Sequence, residues 1–202
     1  MTIDEIMRAA PVIPVLVLEQ EMDWAALAET FVAAGLPVLE ITMRTPLALD
    51  AIRAMSRVEG AIAGAGTVLN EAQLGQATEA GSRFIVSPGL TEPLGKAAVA
   101  SGVPFLPGTA TAADIMRGLD LGLDRFKFFP AEASGGILAL KALAGPFGNV
   151  RFCPTGGVRP DTAADWLALN PVLCVGGTWF VKPGDDFAAI GERARAAASL
   201  RR

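Results

Sequence analysis

Residues 84–107 read FIVSPGLTEPLGKAAVASGVPFLP and contain one strand–helix–strand repeat. The apolar run Phe84–Ser87 predicts a buried strand, and Pro104–Pro107 predicts the strand that follows it. Between them, Glu92–Ala100 has the spacing of a helix, and Gly102 stands where a left-handed residue commonly ends one. This order of elements is typical of parallel α/β folds.

The same alternation continues along the whole chain. The predicted strands are Val12–Leu18, Val38–Thr42, Ala61–Gly64, Phe84–Ser87, Pro104–Pro107, Arg125–Phe128, Arg151–Cys153 and Leu173–Gly176. The predicted helices are Met1–Ala10, Trp24–Ala34, Leu47–Arg57, Glu71–Ala80, Glu92–Ala100, Ala112–Arg117, Ile137–Ala144, Thr162–Leu169 and Asp185–Leu200. Eight units in 202 residues average about 25 residues each, which suffices for a (β/α)8 barrel with short loops.

We therefore predict an α/β fold in which residues 1–202 form a single TIM barrel with a short N-terminal helix. No linker, charge block or low-complexity segment marks a second domain. A doubly wound open sheet is the competing architecture, because the same alternation builds it and periodicity does not show whether a sheet closes.

The composition limits the compartment and the partners. Apolar residues make up 51% of the chain and charged residues 19%, which excludes general disorder. No apolar stretch approaches the roughly 20 residues of a membrane span, and the N-terminus lacks the pattern of a signal peptide. The net charge of −4 argues against nucleic acid as a partner, and the two cysteines in apolar runs suit a reducing compartment. We expect a cytoplasmic protein that binds neither membrane nor nucleic acid.

The sequence contains no histidine and no tyrosine. A serine or cysteine nucleophile would therefore lack the usual imidazole base, and histidine-containing zinc sites cannot form. Acid–base chemistry falls to carboxylates or to one of the four lysines, Lys96, Lys127, Lys141 and Lys182.

Lys127 lies within a predicted strand, between Phe126 and Phe128. Because neighbouring strand residues point to opposite faces, Lys127 would face the barrel interior. Burial among apolar groups disfavours the charged ammonium, and a neutral amine can attack a ketone to form a Schiff base. The alternative is structural: the lysine extends out of an edge strand or pairs with a carboxylate.

Glu40 and Thr42 share one face of another predicted strand, and Arg44 lies just beyond its end. An interior carboxylate could move protons, while Arg44 offers a bidentate fork for a carboxylate or phosphate. A buried structural ion pair between Glu40 and Lys127 is the competing interpretation.

Glycine-rich segments follow several other strands. Thr67 follows Gly66, and Pro88 follows Ser87, but each segment alone is compatible with an ordinary turn. Two further segments end the seventh and eighth predicted strands, where TIM barrels frequently bind phosphate through exposed backbone N–H groups. They are Thr155-Gly156-Gly157 and Gly176-Gly177-Thr178. An interior lysine and carboxylate, a nearby arginine and a phosphate cradle together indicate a metal-independent carbon–carbon lyase for a phosphorylated keto compound.

Five segments in this order resemble the motifs of the 2-keto-3-deoxy-6-phosphogluconate aldolases, the KDPG/KHG aldolases. They are LEITMRT (39–45), GAGTVLN (64–70), SPGLTEP (87–93), FKFFPAE (126–132) and RFCPTGG (151–157). The resemblance covers nearly the whole chain. It implies a class I aldolase of the Entner–Doudoroff pathway, which cleaves KDPG to pyruvate and glyceraldehyde 3-phosphate as a homotrimer without metal or cofactor.

The same resemblance implies a role for individual residues. Lys127 matches the Schiff-base lysine and Glu40 the general acid/base. The positions that match substrate contacts are Arg44, Thr67, Pro88, Phe129, Thr155, Gly156, Gly157, Gly177 and Thr178. Thr178 departs from the family, where we expect serine, but it keeps the hydroxyl donor.

Other functions stay open from the sequence. They include a 2-keto-3-deoxy-6-phosphogalactonate aldolase, activity on 2-keto-4-hydroxyglutarate, and a phosphate-handling isomerase or synthase with Glu40 as its base. A non-catalytic barrel that binds a phosphorylated ligand, with Lys127 and Glu40 as a structural pair, is a further possibility.

Overall fold

The computed structural model describes residues 1–200, in which strands and helices alternate. The strands of this part of the chain are β1 (Val12–Leu16), β2 (Val38–Thr42), β3 (Ile62–Gly66), β4 (Ile85–Val86), β5 (Phe105–Leu106), β6 (Gly108–Thr109), β7 (Arg125–Phe128), β8 (Arg151–Pro154) and β9 (Val175–Gly177). Its helices are α1 (Ile3–Arg8), α2 (Trp24–Ala33), α3 (Ala48–Met55), α4 (Glu71–Glu79), α5 (Glu92–Ser101), α6 (Ala112–Asp120), α7 (Gly136–Ala144), α8 (Ala163–Leu167) and α9 (Phe187–Ala198). The predicted alternation of strands and helices is confirmed, apart from one predicted strand that is divided in two.

The strands form a curled parallel arrangement of two sheets. The larger sheet has the order β5-β4-β3-β2-β1-β9, and the smaller one has the order β6-β7-β8. In the larger sheet, Glu40 is in register with Val15 on one side and with Gly64 on the other. In the smaller sheet, Lys127 is in register with Gly108 and Cys153.

The prediction of eight strands is wrong by one. The run predicted as Pro104–Pro107 is divided into β5 and β6 by Pro107, which has no N–H to donate to a sheet ladder. The carbonyl of Pro107 still accepts a hydrogen bond of 2.9 Å from the N–H of Lys127. At the other junction, isolated parallel bridges join Phe152 to Val172 and Thr155 to Gly176.

Several predicted boundaries are also wrong by one to three residues. The strand predicted as Phe84–Ser87 is shorter in the structure, where only Ile85–Val86 is strand. The apolar run is therefore longer than the hydrogen-bonded segment within it. Helix starts are set by capping side chains, whose position hydrophobic periodicity does not determine. Asp186 accepts a hydrogen bond from the N–H of Ala189, so α9 starts at Phe187 and not at Asp185.

Apolar side chains form two separate clusters on the two faces of the strands. Alternate strand residues such as Leu39 and Ile41 join helix residues such as Phe31 in the larger cluster. The residues between them face the other way, and Val38 belongs to a second cluster on the inner face. Glu40 lies two residues further along that inner face. The second cluster therefore forms an apolar floor beneath it.

Helix α1 closes this floor. Its residues Ile6 and Met7 are buried in the inner cluster. Asp4 lies 2.6 Å from Arg8 and 2.5 Å from Arg125, the first residue of β7. The helix therefore covers the N-terminal ends of the strands, which leaves their C-terminal ends for a binding site.

Among residues 1–200, no helix combines the length and the apolar character that crossing a bilayer requires. The last two residues of the predicted domain, 201–202, lie outside the described residues.

The inner face of β3 tolerates no side chain at Gly64, where a Cβ would lie 2.3 Å from the ring of Phe84. We expect Gly64→Ala to lower the free energy of unfolding by about 1–3 kcal/mol, because overpacking must displace the ring or the strand. Gly75→Ala is the matched control, since a Cβ on this residue of α4 meets open space and alanine favours the helix by about 0.5–1 kcal/mol. Urea denaturation measures both variants, and an unchanged stability of Gly64→Ala would contradict this packing.

Asp4 gives the fold a defined acid dependence. The hydrogen bond from Arg8, aided by Arg125, holds the pKa of Asp4 below its usual value. The ionised form is thus favoured by folding, and its contribution is present above the unfolded-state pKa of about 3.9 and lost as the pH falls through the folded-state pKa. Urea denaturation should therefore show Asp4→Asn less stable than the wild type at neutral pH, with the difference shrinking in acid. A difference that does not shrink would contradict this role of the carboxylate.

Candidate active site

Two opposite charges meet inside the curled sheets. Nζ of Lys127 on β7 lies 2.7 Å from Oε1 of Glu40 on β2, so the pair joins the smaller sheet to the larger one across the interior. Lys127 is 5% exposed and Glu40 is 3% exposed. The structure therefore brings the two predicted catalytic residues into direct contact in a site that admits little water.

Bare backbone makes room for this pair. A Cβ on Gly66 would lie 2.3 Å from Oε1 of Glu40, so only glycine lets the carboxylate occupy its position. Gly108, in register with Lys127, is equally tight, because a Cβ there would lie 2.1 Å from the carbonyl oxygen of Pro88. Pro88, predicted to flank a bound keto acid, is thereby held beside the position of the lysine.

The ring of Phe129 forms another wall, with its centroid 5.4 Å from Nζ of Lys127. Phe129 is half-buried, and a Cβ on Gly156 would lie 3.2 Å from its ring. The ring therefore separates the lysine from the loop after β8. An aromatic face beside the ammonium is a favourable cation–π arrangement.

Arg44 and Thr67 meet at the ends of β2 and β3. Nε of Arg44 donates to Oγ1 of Thr67 at 3.1 Å, while in residues 1–200 the two terminal nitrogens of this exposed arginine have no protein partner. Thr67 has a φ of +59°, the only positive value among non-glycine residues of the described chain. For a β-branched residue such a conformation costs about 1–3 kcal/mol, and strain of this kind clusters at functional sites.

The two glycine-rich loops lie side by side. Thr155 is bridged to Gly176, and a Cβ on Gly176 would lie 2.3 Å from the Thr155 hydroxyl. Gly156 and Gly157 have φ values of +96° and +84°, which glycine adopts without strain. Thr155 is buried, whereas Gly157 is exposed. The first loop thus presents the backbone of Gly157 to solvent beside a buried hydroxyl, whereas Gly176 is buried.

The remaining predicted residues belong to the second loop. Gly177 packs against Trp179, whose ring would lie 2.1 Å from a Cβ at this position, and Thr178 is exposed between them. Thr42, named with Glu40 from strand alternation, donates its hydroxyl to the carbonyl of Leu16 at 3.0 Å. Its contact is therefore structural. Within residues 1–200 no group of three or more histidine, cysteine, aspartate or glutamate side chains is arranged to hold a metal ion.

Sequence reasoning missed two features of the site. The left-handed conformation of Thr67 has no signal in the sequence, since glycine or asparagine is the usual residue there. The hydrogen bond of 3.2 Å from Nε1 of Trp166 to Oε1 of Glu132 joins residues 34 positions apart, which no local pattern predicts. The glycines Gly64 and Gly66 did carry a signal, because two glycines on one face of a strand indicate close approach by other groups.

A buried lysine paired with a carboxylate at the C-terminal ends of parallel strands defines a candidate enzyme of the lysine-dependent lyase class. The family model for KDPG and KHG aldolases matches residues 3–192, so the chain belongs to this aldolase family. The resemblance found from the five motifs is confirmed.

Known relatives cover almost the whole chain. The 2-dehydro-3-deoxy-phosphogluconate aldolase of Zymomonas mobilis is 57% identical over 201 residues, which is 99% of this chain and 97% of the relative. The crystal structure of the Zymomonas mobilis 2-keto-3-deoxy-6-phosphogluconate aldolase with 3-phosphoglycerate has a TM-score of 0.97, at 57% identity and with 99% of this chain and 96% of that chain covered.

A third comparison bears on the chemistry of the family. The KDPG aldolase of Legionella pneumophila was crystallised with pyruvate captured at low pH as a covalent carbinolamine intermediate. It has a TM-score of 0.94 and 40% identity, with 98% of this chain and 99% of that chain covered. A covalent carbinolamine is the adduct that an amine forms with a ketone on the way to an imine.

Breaking the buried pair should be costly, whereas removing it entirely should not. Glu40→Leu leaves an uncompensated ammonium in the interior, and we expect the free energy of unfolding to fall by about 3–5 kcal/mol. The double variant Glu40→Leu/Lys127→Met replaces both charges with apolar groups and should recover most of this loss. Urea denaturation compares the two. A double variant no more stable than Glu40→Leu would contradict a net cost of the unpaired charge.

Proposed function

We propose that this chain is a class I aldolase that cleaves 2-keto-3-deoxy-6-phosphogluconate to pyruvate and glyceraldehyde 3-phosphate through an imine on Lys127. The observation that carries the proposal is the contact of 2.7 Å between Nζ of Lys127 and Oε1 of Glu40 in a buried interior. It places a nucleophile within hydrogen-bond reach of a proton acceptor, which is the arrangement that activates an amine.

The relatives support this substrate over its alternatives. The Zymomonas mobilis protein, at 57% identity, is named as the gluconate-type aldolase, so the galactonate epimer is not favoured. The family description names both KDPG and KHG, which supports 2-keto-4-hydroxyglutarate as a second substrate. The covalent pyruvate adduct of the Legionella pneumophila protein supports covalent catalysis over a non-catalytic barrel or an isomerase.

The first steps use the pair as a unit. Proton transfer along the hydrogen bond from Lys127 to Glu40 gives a neutral amine without a proton leaving the site. The amine attacks the C2 ketone of the substrate to form a carbinolamine. Glu40 then returns the proton to the C2 hydroxyl, which departs as water and leaves the iminium.

The iminium accepts the electron pair of the C3–C4 bond when that bond breaks. Glu40, ionised again after returning its proton, takes the proton of the C4 hydroxyl directly or through water as this carbon becomes the aldehyde of glyceraldehyde 3-phosphate. The remaining enamine is protonated at C3, with Glu40 supplying the proton directly or through water, and hydrolysis of the iminium releases pyruvate and restores Lys127.

The substrate lies across the strand ends in this proposal. Arg44, through its terminal nitrogens, and Thr67 bind the carboxylate of the pyruvoyl end. Pro88 and Phe129 flank the keto acid. The loops after β8 and β9 bind the phosphate, through Thr155, Gly156, Gly157, Gly177 and Thr178. The exposed Gly157 and Thr178, next to the buried Thr155 hydroxyl, support this placement.

We further propose that the two sheets are one closed (β/α)8 barrel forming a single domain over residues 1–202. The hydrogen bond from Lys127 to Pro107 at one junction and the bridges at Phe152 and Thr155 at the other support closure. A homotrimer is proposed from the family resemblance alone. The cytoplasmic location and the lack of a cofactor stay predictions.

The purified chain should release pyruvate from KDPG, measured with lactate dehydrogenase and NADH. We expect Lys127→Ala to abolish this release while the far-ultraviolet circular dichroism keeps its wild-type form, because no other group replaces the amine. Lys141→Ala, which changes an exposed lysine of α7, is the matched control and should retain full activity. Retained turnover in Lys127→Ala would reject the imine, and a higher kcat/KM for the galactonate epimer would reject the substrate assignment.

Glu40→Gln separates proton transfer from packing. The amide keeps the shape of the side chain and accepts a hydrogen bond from Lys127, but it cannot carry the proton. We expect kcat to fall by roughly 10²–10⁴-fold, the usual contribution of positioned acid–base catalysis. The free energy of unfolding should change far less than in Glu40→Leu. An unchanged kcat would remove Glu40 from this role.

A further inference from the structure

We propose that Glu132 is a positioning residue that holds the Gly156–Gly157 loop in the conformation that binds the substrate phosphate. This inference rests on the proposed function. Glu132 is not among the residues proposed to contact the substrate. Its side chain lies on the side of the loop to which a Cβ on Gly157 would point.

Glu132 contacts the loop through both its backbone and its side chain. Its N–H donates to the carbonyl of Gly156 at 3.0 Å. A Cβ on Gly157 would lie 2.5 Å from Cγ and 2.6 Å from Cβ of Glu132, so the loop is seated directly on the stem of this side chain. Gly157 is in the left-handed region, where glycine has wide conformational freedom. The direction of its N–H therefore depends on its packing against Glu132.

The carboxylate of Glu132 is itself held in place. Nε1 of Trp166 donates to Oε1 of Glu132 at 3.2 Å, and Trp166 is fully buried. The ring of Trp166 packs against Phe128, with 6.3 Å between the ring centroids. Phe128 follows Lys127 on β7. A continuous series of contacts therefore runs from the strand that carries the lysine to the proposed phosphate loop.

The charge of Glu132 argues against direct contact with the ligand. A carboxylate beside a phosphate is repulsive, so a role in binding phosphate itself would require a neutral or cationic side chain. The same carboxylate is well suited to accept the indole N–H, which would otherwise be buried without a partner. Its value to the site thus lies in the hydrogen bond to Trp166 and in the contact of its stem with Gly157.

Two substitutions at this position distinguish positioning from charge. Glu132→Ala removes both the stem and the acceptor, and we expect it to raise KM for KDPG about tenfold, which equals roughly 1.4 kcal/mol or the effect of about one hydrogen bond. Inhibition by inorganic phosphate should weaken by a similar factor. Glu132→Gln keeps the stem and an acceptor for Trp166, and it should restore wild-type KM to within about twofold.

Pyruvate supplies the unphosphorylated control. The pyruvate concentration that gives half-maximal trapping by borohydride should stay the same in Glu132→Ala, because pyruvate has no phosphate end. The kcat for KDPG should likewise stay within about twofold, since the interaction acts on binding and not on the chemical step. Trp166→Phe, which removes the N–H and keeps a ring against Phe128, should reproduce the higher KM.

The remaining outcomes overturn the inference. An equal loss toward KDPG and pyruvate, together with a lower Tm, would show that Glu132 only stabilises the fold. An improved KM in Glu132→Gln would show that its charge acts on the ligand directly. An unchanged KM in Glu132→Ala, with the wild type active, would overturn the inference alone, whereas a wild type that neither cleaves KDPG nor traps pyruvate would overturn the proposed function.

Discussion

Burying a lysine and a glutamate in one interior is expensive, since each charge loses its hydration and only close pairing compensates. The contact of 2.7 Å between Lys127 and Glu40 meets this requirement, and it also joins β7 of the smaller sheet to β2 of the larger one. Such a pair is weak support for stability, because an apolar replacement commonly does as well. Its retention in the interior is better explained by chemistry than by folding.

The interior differs on the two sides of the Lys127–Glu40 pair. Below it, the apolar cluster that includes Ile6, Met7 and Val38 excludes water and is covered by α1. Above it, the strand ends carry hydroxyls, glycines and the exposed Arg44. One end of the curled sheets therefore supplies packing, and the other supplies the groups that a keto acid with a phosphate would bind. Gly66 belongs to both parts, because its missing side chain is what allows Glu40 to reach the lysine.

Strand alternation was sufficient to predict the interior position of Lys127 and Glu40. Successive residues of a strand point to opposite faces, so a residue whose neighbours face the helices must face the interior. Alternation alone did not show that they touch, because the two residues are 87 positions apart in the chain, and their pairing was therefore only one of two interpretations of the sequence. The division at Pro107 was readable from the missing N–H of proline but was outweighed by the apolar run around it. Periodicity alone was equally compatible with an open sheet, and the curl depends on contacts between distant strands.

The two glycine-rich loops after β8 and β9 show the same limit of prediction from sequence. Their glycines and their place after the last strands could be found in the sequence, and the structure brings Thr155 against Gly176. The support from Glu132 and Trp166 could not, because it depends on how α8 packs against the segment after β7. Local sequence patterns identified the loop residues themselves. The contacts that fix the conformation of the loop depend on tertiary packing, which those patterns do not show.

The location of the covalent adduct on the wild-type chain decides whether Lys127 is the nucleophile. The protein is incubated with pyruvate and borohydride, which reduces an imine to a stable secondary amine, and its peptides are then examined by mass spectrometry. We expect one pyruvyl adduct per chain, on Lys127, with Lys96, Lys141 and Lys182 unmodified. An adduct on another lysine, or none in the folded protein, would contradict the proposal that the buried pair is the centre of the chemistry.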